Sequence, residues 1–216
     1  MKLNVLLIVL ATTVFAFGAK AQNTTLGVRA GLNFQNLNGK DDDGNKFHGR
    51  MKLCINLGFN AEIPVAEDFY IQPGILFATK GAKDDTYRKV NNRLSYLEFP
   101  INLLFKPELG DGKLLLGVGP YIGIAIGGSY TDANGHKTEY KFKGKITKEE
   151  DESAAYVRRT DFGFNFLGGY ELSSKLSFQL NAQLGVKNIV PKVQGGANDY
   201  KLKNTGFGVS VGYRFN

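Results

Sequence analysis

From Leu53 to Ile63 two kinds of residue alternate without a break. Leu53, Ile55, Leu57, Phe59, Ala61 and Ile63 fall on one face, and Cys54, Asn56, Gly58, Asn60 and Glu62 fall on the other. A repeat of two is that of a β-strand, and it does not fit the 3.6-residue repeat of a helix. The same alternation recurs along the chain, giving segments at about 25–35, 53–63, 69–80, 93–106, 113–127, 161–172, 176–187 and 205–215. The last, for instance, puts Phe207, Val209, Val211, Tyr213 and Phe215 on one side. The pattern predicts an all-β chain of eight strands.

The connections alternate as well. Three are short, at 64–68, 107–112 and 173–175, and four are long, at about 36–51, 81–92, 128–160 and 188–204. Antiparallel strands joined in this way place the short turns at one end of a sheet and the long loops at the other. That is the arrangement of a membrane-spanning β-barrel with periplasmic turns and extracellular loops.

Alternation does not by itself say which face is inside, but composition does. A soluble barrel would turn its second face to water, and that face would be rich in charge. Here the second face carries many of the chain's 27 glycines together with Asn33, Asn56, Asn60, Gln72, Asn102, Asn165, Gln179, Asn181 and Gln183. Such a face suits a crowded, hydrogen-bonded interior. The apolar face runs ten to twelve residues in most strands, or roughly 25–30 Å at ~3.3 Å per residue and ~40° tilt, the height of a lipid-facing band. Aromatics gather near its two edges, with Phe34, Phe77, Phe162 and Phe207 towards the long loops and Phe69, Phe105, Tyr170, Tyr213 and Phe215 towards the turns. The expected architecture is an eight-stranded antiparallel up-and-down transmembrane β-barrel.

Residues 1–21 read as a secretory signal peptide: Lys2 is followed by an apolar run and then by Ala19-Lys20-Ala21, a small-residue cleavage pattern. The expected domain is then 22–216, with a net charge of +5 once Lys2 and Lys20 are gone, against +7 for the whole chain. The expected location is the outer membrane of a Gram-negative bacterium.

Several motifs resemble those of the PorT-like outer-membrane β-barrel family of Bacteroidetes. They are Gly27-Val28-Arg29-Ala30-Gly31-Leu32-Asn33-Phe34, Phe69-Tyr70-Ile71-Gln72-Pro73, Tyr96-Leu97-Glu98-Phe99-Pro100-Ile101-Asn102-Leu103, Gly117-Val118-Gly119-Pro120-Tyr121, Leu184-Gly185-Val186-Lys187-Asn188-Ile189 and Gly212-Tyr213-Arg214-Phe215. The resemblance covers essentially all of 22–216, and Gly74 departs from it, standing where the family often has an acidic residue. It implies an outer-membrane location and an eight-stranded barrel, and no particular activity.

Eight strands enclose a lumen that side chains fill. Inward charges by parity are Arg29, Glu62, Lys80, Glu98, Lys106, Asp161, Glu171, Lys187 and Arg214. Buried charges must be paired, so a polar network is expected from Arg29, Glu62, Glu98, Lys106, Glu171 and Arg214, with Arg29 and Glu98 near mid-height and the other four near the turns. Glycine or alanine at Gly117, Gly119, Gly123, Ala125 and Gly127 makes room for inward Tyr70, Tyr96 and Tyr121. The function expected is a structural or binding barrel with long extracellular loops. A narrow porin-like channel and a soluble secreted lipocalin-like carrier are the alternatives.

No enzyme is expected, because the two histidines, His48 and His136, both fall in long loops. No cofactor or metal site is expected either. Asp41-Asp42-Asp43-Gly44 fails the calcium-loop spacing, which would put Gly39 at its first position and Arg50 at its twelfth. The lone Cys54 forms no intrachain disulfide. The expected partners are outer-membrane lipid and lipopolysaccharide, the latter at Arg158 and Arg159, the barrel-assembly machinery during biogenesis, and an envelope protein at the loops. No nucleic acid is expected.

Overall fold

The computed structural model describes residues 24–40, 46, 49–84, 90–195 and 201–215; for Asp84 and residues 151–153 it describes the backbone alone. The expected leader 1–21, the Asp41–Gly44 run and His48 lie outside the described residues. The eight long strands are β1 (Thr25–Lys40), β2 (Lys52–Ala66), β3 (Phe69–Lys80), β4 (Val90–Phe105), β5 (Gly112–Thr131), β6 (Thr160–Glu171), β7 (Leu176–Gly185) and β8 (Lys201–Arg214). Each pairs antiparallel with its neighbours in sequence, and β1 pairs with β8 from Gly27↔Arg214 to Lys40↔Lys201. The sheet therefore closes on itself and has no edge.

The outward face is apolar all round. Leu57 is 58% exposed, Phe59 68% and Leu180 68%, and the same belt carries Ile75, Ile101, Ile122, Phe164 and Val209. Alternate residues point in and are buried, among them Tyr96, Leu104 and Tyr121. A bare belt of this extent would not persist in water, and it marks the surface that lipid covers. Aromatic pairs stand at its two ends: Phe34 with Phe207 at 5.6 Å towards the long loops, and Phe69 with Phe105 at 4.8 Å towards the turns.

Each short turn uses one left-handed residue: Asp68 (φ 58°) between β2 and β3, Gly110 (φ 61°) between β4 and β5, and Lys175 (φ 67°) between β6 and β7. Within the wall, prolines remove ladder donors. Pairing between β3 and β4 skips from Pro73↔Ile101 to Leu76↔Glu98, and between β4 and β5 from Pro100↔Tyr121 to Leu103↔Val118, in unchanged register.

Three strands run four or five residues further than their alternation predicts: β1 continues to Lys40, β5 to Thr131, and β8 begins at Lys201. Beyond the belt the 128–160 loop is folded. Lys137–Glu139 turns back on the end of β5, Lys141–Phe142 pairs parallel with Tyr156–Val157, and Lys145–Ile146 pairs parallel with Lys192–Val193. A short helix, Lys148–Ser153, is capped by Thr147. Together these elements form a crown over the long-loop end.

Candidate functional site: the filled lumen and its crown

Three layers fill the barrel. Nearest the short turns, Lys106 Nζ lies 2.7 Å from Glu62 Oε2 and 3.0 Å from Glu171 Oε2. Arg214 donates to Glu62 and, at 2.7 Å, to Asn60 Oδ1. Gln72 donates to Glu62 Oε1 at 3.2 Å and accepts from Asn102 at 3.2 Å. These groups reach one spot because β2, β4, β6 and β8 all end at this rim with an inward residue, and β3 starts there with Gln72. Two cations meet two carboxylates, so the layer is neutral.

Towards the crown, Lys80 Nζ lies 2.6 Å from Glu98 Oε1 and 3.0 Å from Asp161 Oδ2. Both Lys80 and Asp161 are fully buried. The Tyr121 hydroxyl donates to Asp161 Oδ2 at 3.0 Å, and Asn204 Nδ2 does the same at 3.0 Å. The ammonium also sits 4.2 Å from the Tyr121 ring centroid and 5.3 Å from that of Tyr96. Glycines make room for these rings. A Cβ on Gly163 would come within 2.7 Å of Tyr121 Cε1, and one on Gly123 within 3.2 Å of Tyr96 Cδ1. One cation against two carboxylates leaves this layer with an excess negative charge.

Between the layers Arg29 Nη1 donates to Asn181 Oδ1 at 3.4 Å. Around it carboxamides bond to one another: Asn56 to Asn33 at 3.0 Å, and Gln183 to Asn165 at 3.0 Å and to Glu98 Oε2 at 3.1 Å. They line a cavity of about 40 Å³, room for a few water molecules and no larger solute. The charge of Arg29 offsets the excess of the Lys80 layer.

Above all three layers the crown seals the mouth with an apolar cluster: Leu37, Ala82, Leu94, Tyr96, Ala125, Val157 and Ile189, against which Tyr140, Phe142 and Leu202 pack.

Among the six residues expected in the polar network, the structure brings Glu62, Lys106, Glu171 and Arg214 into one cluster. It places Glu98 in the other and leaves Arg29 between them. Lys80 and Asp161, whose parity pointed inward but which were not expected in the network, are the centre of the upper layer. Lys187 donates to Thr160 at the rim, half-exposed. Arg159 is exposed, with its guanidinium 5.3 Å from the Phe142 ring. Arg158 is half-buried, and its backbone N–H donates to Ile189 O at 2.8 Å.

The crown carries exposed charge. Lys141 and Lys143 lie 5.9 and 5.8 Å from the Tyr156 ring, and Lys143 pairs with Glu150. The Lys143 ammonium, with the Thr147 backbone N–H, holds the Glu150 carboxyl below its ordinary range. The His136 and Asn134 backbone N–H groups do the same to Asp132 in the turn above β5. Among the described residues no cluster of His, Cys, Asp and Glu could hold a metal ion.

Several solved structures resemble the fold. The attachment invasion locus protein Ail of Yersinia pestis, solved with the heparin analogue sucrose octasulfate, is 12% identical, with 89% of this chain and 99% of that one covered and a TM-score of 0.43. Neisserial surface protein A is 11% identical over 88% and 97%, at 0.46. A major outer membrane protein from Thermus thermophilus is 14% identical over 89% and 100%, at 0.45. No curated protein is similar enough in sequence to match. The family model described as outer membrane protein beta-barrel domain matches residues 7–215, nearly the whole chain, and with its closed eight-stranded wall and lipid-facing belt the chain belongs to that family.

Proposed function

We propose that this outer-membrane barrel is a sealed anchor that displays its folded crown outside the cell, and is not a pore. The observation that carries this is the stacking of the lumen. An ion-pair layer closes each end, an apolar cluster covers the upper one, and the intervening cavity is about 40 Å³. A solute would have to break buried ion pairs to pass, and each such break is costly. Purified protein reconstituted in planar lipid bilayers should give a flat current trace. Steady single-channel steps would overturn the reading.

The binding face is then the crown. Arg159, exposed at the start of β6 with Arg158 behind it, is suited to a lipopolysaccharide phosphate through charge-assisted hydrogen bonds. An envelope protein is the natural partner for the remainder of the crown. Tyr213-Arg214-Phe215 at the end of β8 fits the signal that barrel-assembly machinery reads, and residues 1–21 fit a cleaved export signal. The motifs set out above support a place among the PorT-like barrels of Bacteroidetes. The reading includes no catalytic step: His136 sits on an exposed turn beside Asp132 at 3.4 Å and does not line the lumen cavity.

A further inference from the structure

The strand register brings lysine against lysine at the outer rim. Lys40 of β1 is directly paired with Lys201 of β8, and on its other side it is bridged to Lys46. Lys203 lies two residues along β8 from Lys201, on the same face. In the crown Lys145 is directly paired with Lys192. All six side chains are exposed, and none takes part in an ion pair among the described residues.

Like charges directly opposite on neighbouring strands repel. Lysines are common on solvated rims, but here two separate ladders set them directly opposite one another, and Glu150 of the crown is taken up by Lys143. A dianionic phosphate between two facing ammonium groups removes the repulsion and gains charge-assisted bonds to both.

The height of the pairs identifies the ligand. Lys40 is six residues beyond Phe34, the outer aromatic of β1. At ~3.3 Å per residue and ~40° tilt that is roughly 15 Å above the belt. Each headgroup layer is only ~5–8 Å thick, so Lys40 and its partner Lys201 stand above the lipid phosphates and at the level of the attached saccharide, and Lys145 and Lys192 belong to the crown beyond the belt. We infer that the paired lysines Lys40–Lys201 and Lys145–Lys192 bind phosphate groups on the core saccharide of lipopolysaccharide. The same strands carry the lipid-facing belt below, so the saccharide of a lipid seated against that belt reaches the lysines while its acyl chains stay in the membrane. The inference rests on the crown being the binding face, and it concerns residues other than Arg158 and Arg159.

The test uses the full barrel in lipid nanodiscs, with binding measured for three probes: lipid A alone, lipopolysaccharide with a phosphorylated core, and the same lipopolysaccharide after enzymatic dephosphorylation of the core. The unaltered protein should prefer the phosphorylated core over both others by about tenfold or more, a preference that weakens as salt rises. The variant K40Q/K145Q/K192Q/K201Q should lose that preference while still binding lipid A, and Lys113→Gln at the periplasmic end should keep it. Equal binding of phosphorylated and dephosphorylated cores by the unaltered protein overturns the proposal, and that comparison needs no variant. So does a folded quadruple variant with undiminished preference, the result expected if Asp41, Asp42 and Asp43 already neutralise the rim. In a fourth measurement, equally strong capture of a soluble sulfated polysaccharide would reassign the surface to a free polyanion, which also overturns it. Failure of the unaltered protein to bind lipid A, with its preference for the phosphorylated core intact, would count against Arg158 and Arg159 and leave the lysine pairs standing; conductance in bilayers would sink the sealed anchor and neither of these.

Discussion

At the scale of single residues, the lumen is built by trading glycine for aromatic bulk. Gly163 is the sharpest case, because a Cβ there would lie 2.2 Å from Leu184 O as well as 2.7 Å from the Tyr121 ring. The carbonyl belongs to the wall and cannot move aside. Gly163→Ala should therefore cost about 1–3 kcal/mol in urea unfolding from lipid vesicles. Gly168→Ala, five residues along the same strand with open space around it, should be close to neutral. Similar losses for both would remove the packing argument. Lys80 makes the opposite point about charge. Lys80→Met leaves Glu98 and Asp161 facing each other with no cation between them, at a cost of about 3–5 kcal/mol. Adding Glu98→Gln and Asp161→Asn to it should recover most of that loss in the same measurement, since the penalty lies in the uncompensated charge. The alternation made the inward direction of all three legible. It did not show which charges meet, because partner choice depends on the shared register of β3, β4 and β6, and a slip of one residue would reverse every face.

At the scale of elements, alternation reports where lipid lies and not where pairing ends. This is why β1, β5 and β8 outrun their predicted limits. Past Phe34 the outward residues of β1 become polar, yet its backbone goes on bonding to β8 as far as Lys40↔Lys201. The crown was harder to read. Its parallel ladders join residues such as Lys145 and Lys192 that are far apart in sequence, and two-residue strands are too short to show a period. The helix was legible in principle: Thr147 followed three residues later by Glu150 is a capping-box signature, and the structure forms both of its bonds. Thr147→Ala should weaken the helix start by about 1 kcal/mol, read as faster hydrogen exchange at the Glu150 and Ala154 amides. The crown should also loosen in acid. Glu150 titrates below its unfolded value, so its bond to Lys143 stabilises the crown fully above about pH 4.3. That contribution is lost as pH falls through the lowered value. Exchange in the crown, corrected for intrinsic rates, should rise below this range while the amides of β3 and β4 stay protected. Parallel loss in crown and wall would mean that the two do not separate as units.

At the scale of the whole molecule, the decisive question is which face is turned outward, and two adjacent residues test it. Leu57 and Asn56 share β2 near mid-height and differ only in parity. Leu57 is exposed on the belt, whereas Asn56 is buried and donates to Asn33 at 3.0 Å. This was the most legible property of the chain, because a glycine- and amide-rich second face is a poor surface for water and a good filling for a narrow tube. Closure was less legible, since nothing in the alternation of β1 and β8 says that they pair, and it followed only from a polar second face that has to be enclosed. A lysine on the lipid face at this depth must hold its ammonium in hydrocarbon, so Leu57→Lys should destabilise the barrel by about 2–4 kcal/mol. Asn56→Ser keeps a polar group in a polar lumen and gives up one amide hydrogen bond, a loss of about 1 kcal/mol. Unfolding in vesicles with thin and thick hydrocarbon cores sharpens the contrast. The Leu57→Lys penalty should grow with bilayer thickness, because the ammonium then has further to reach water, while the Asn56→Ser penalty should not change. A thickness dependence shared by both variants, or absent from both, would mean that β2 does not present Leu57 to lipid.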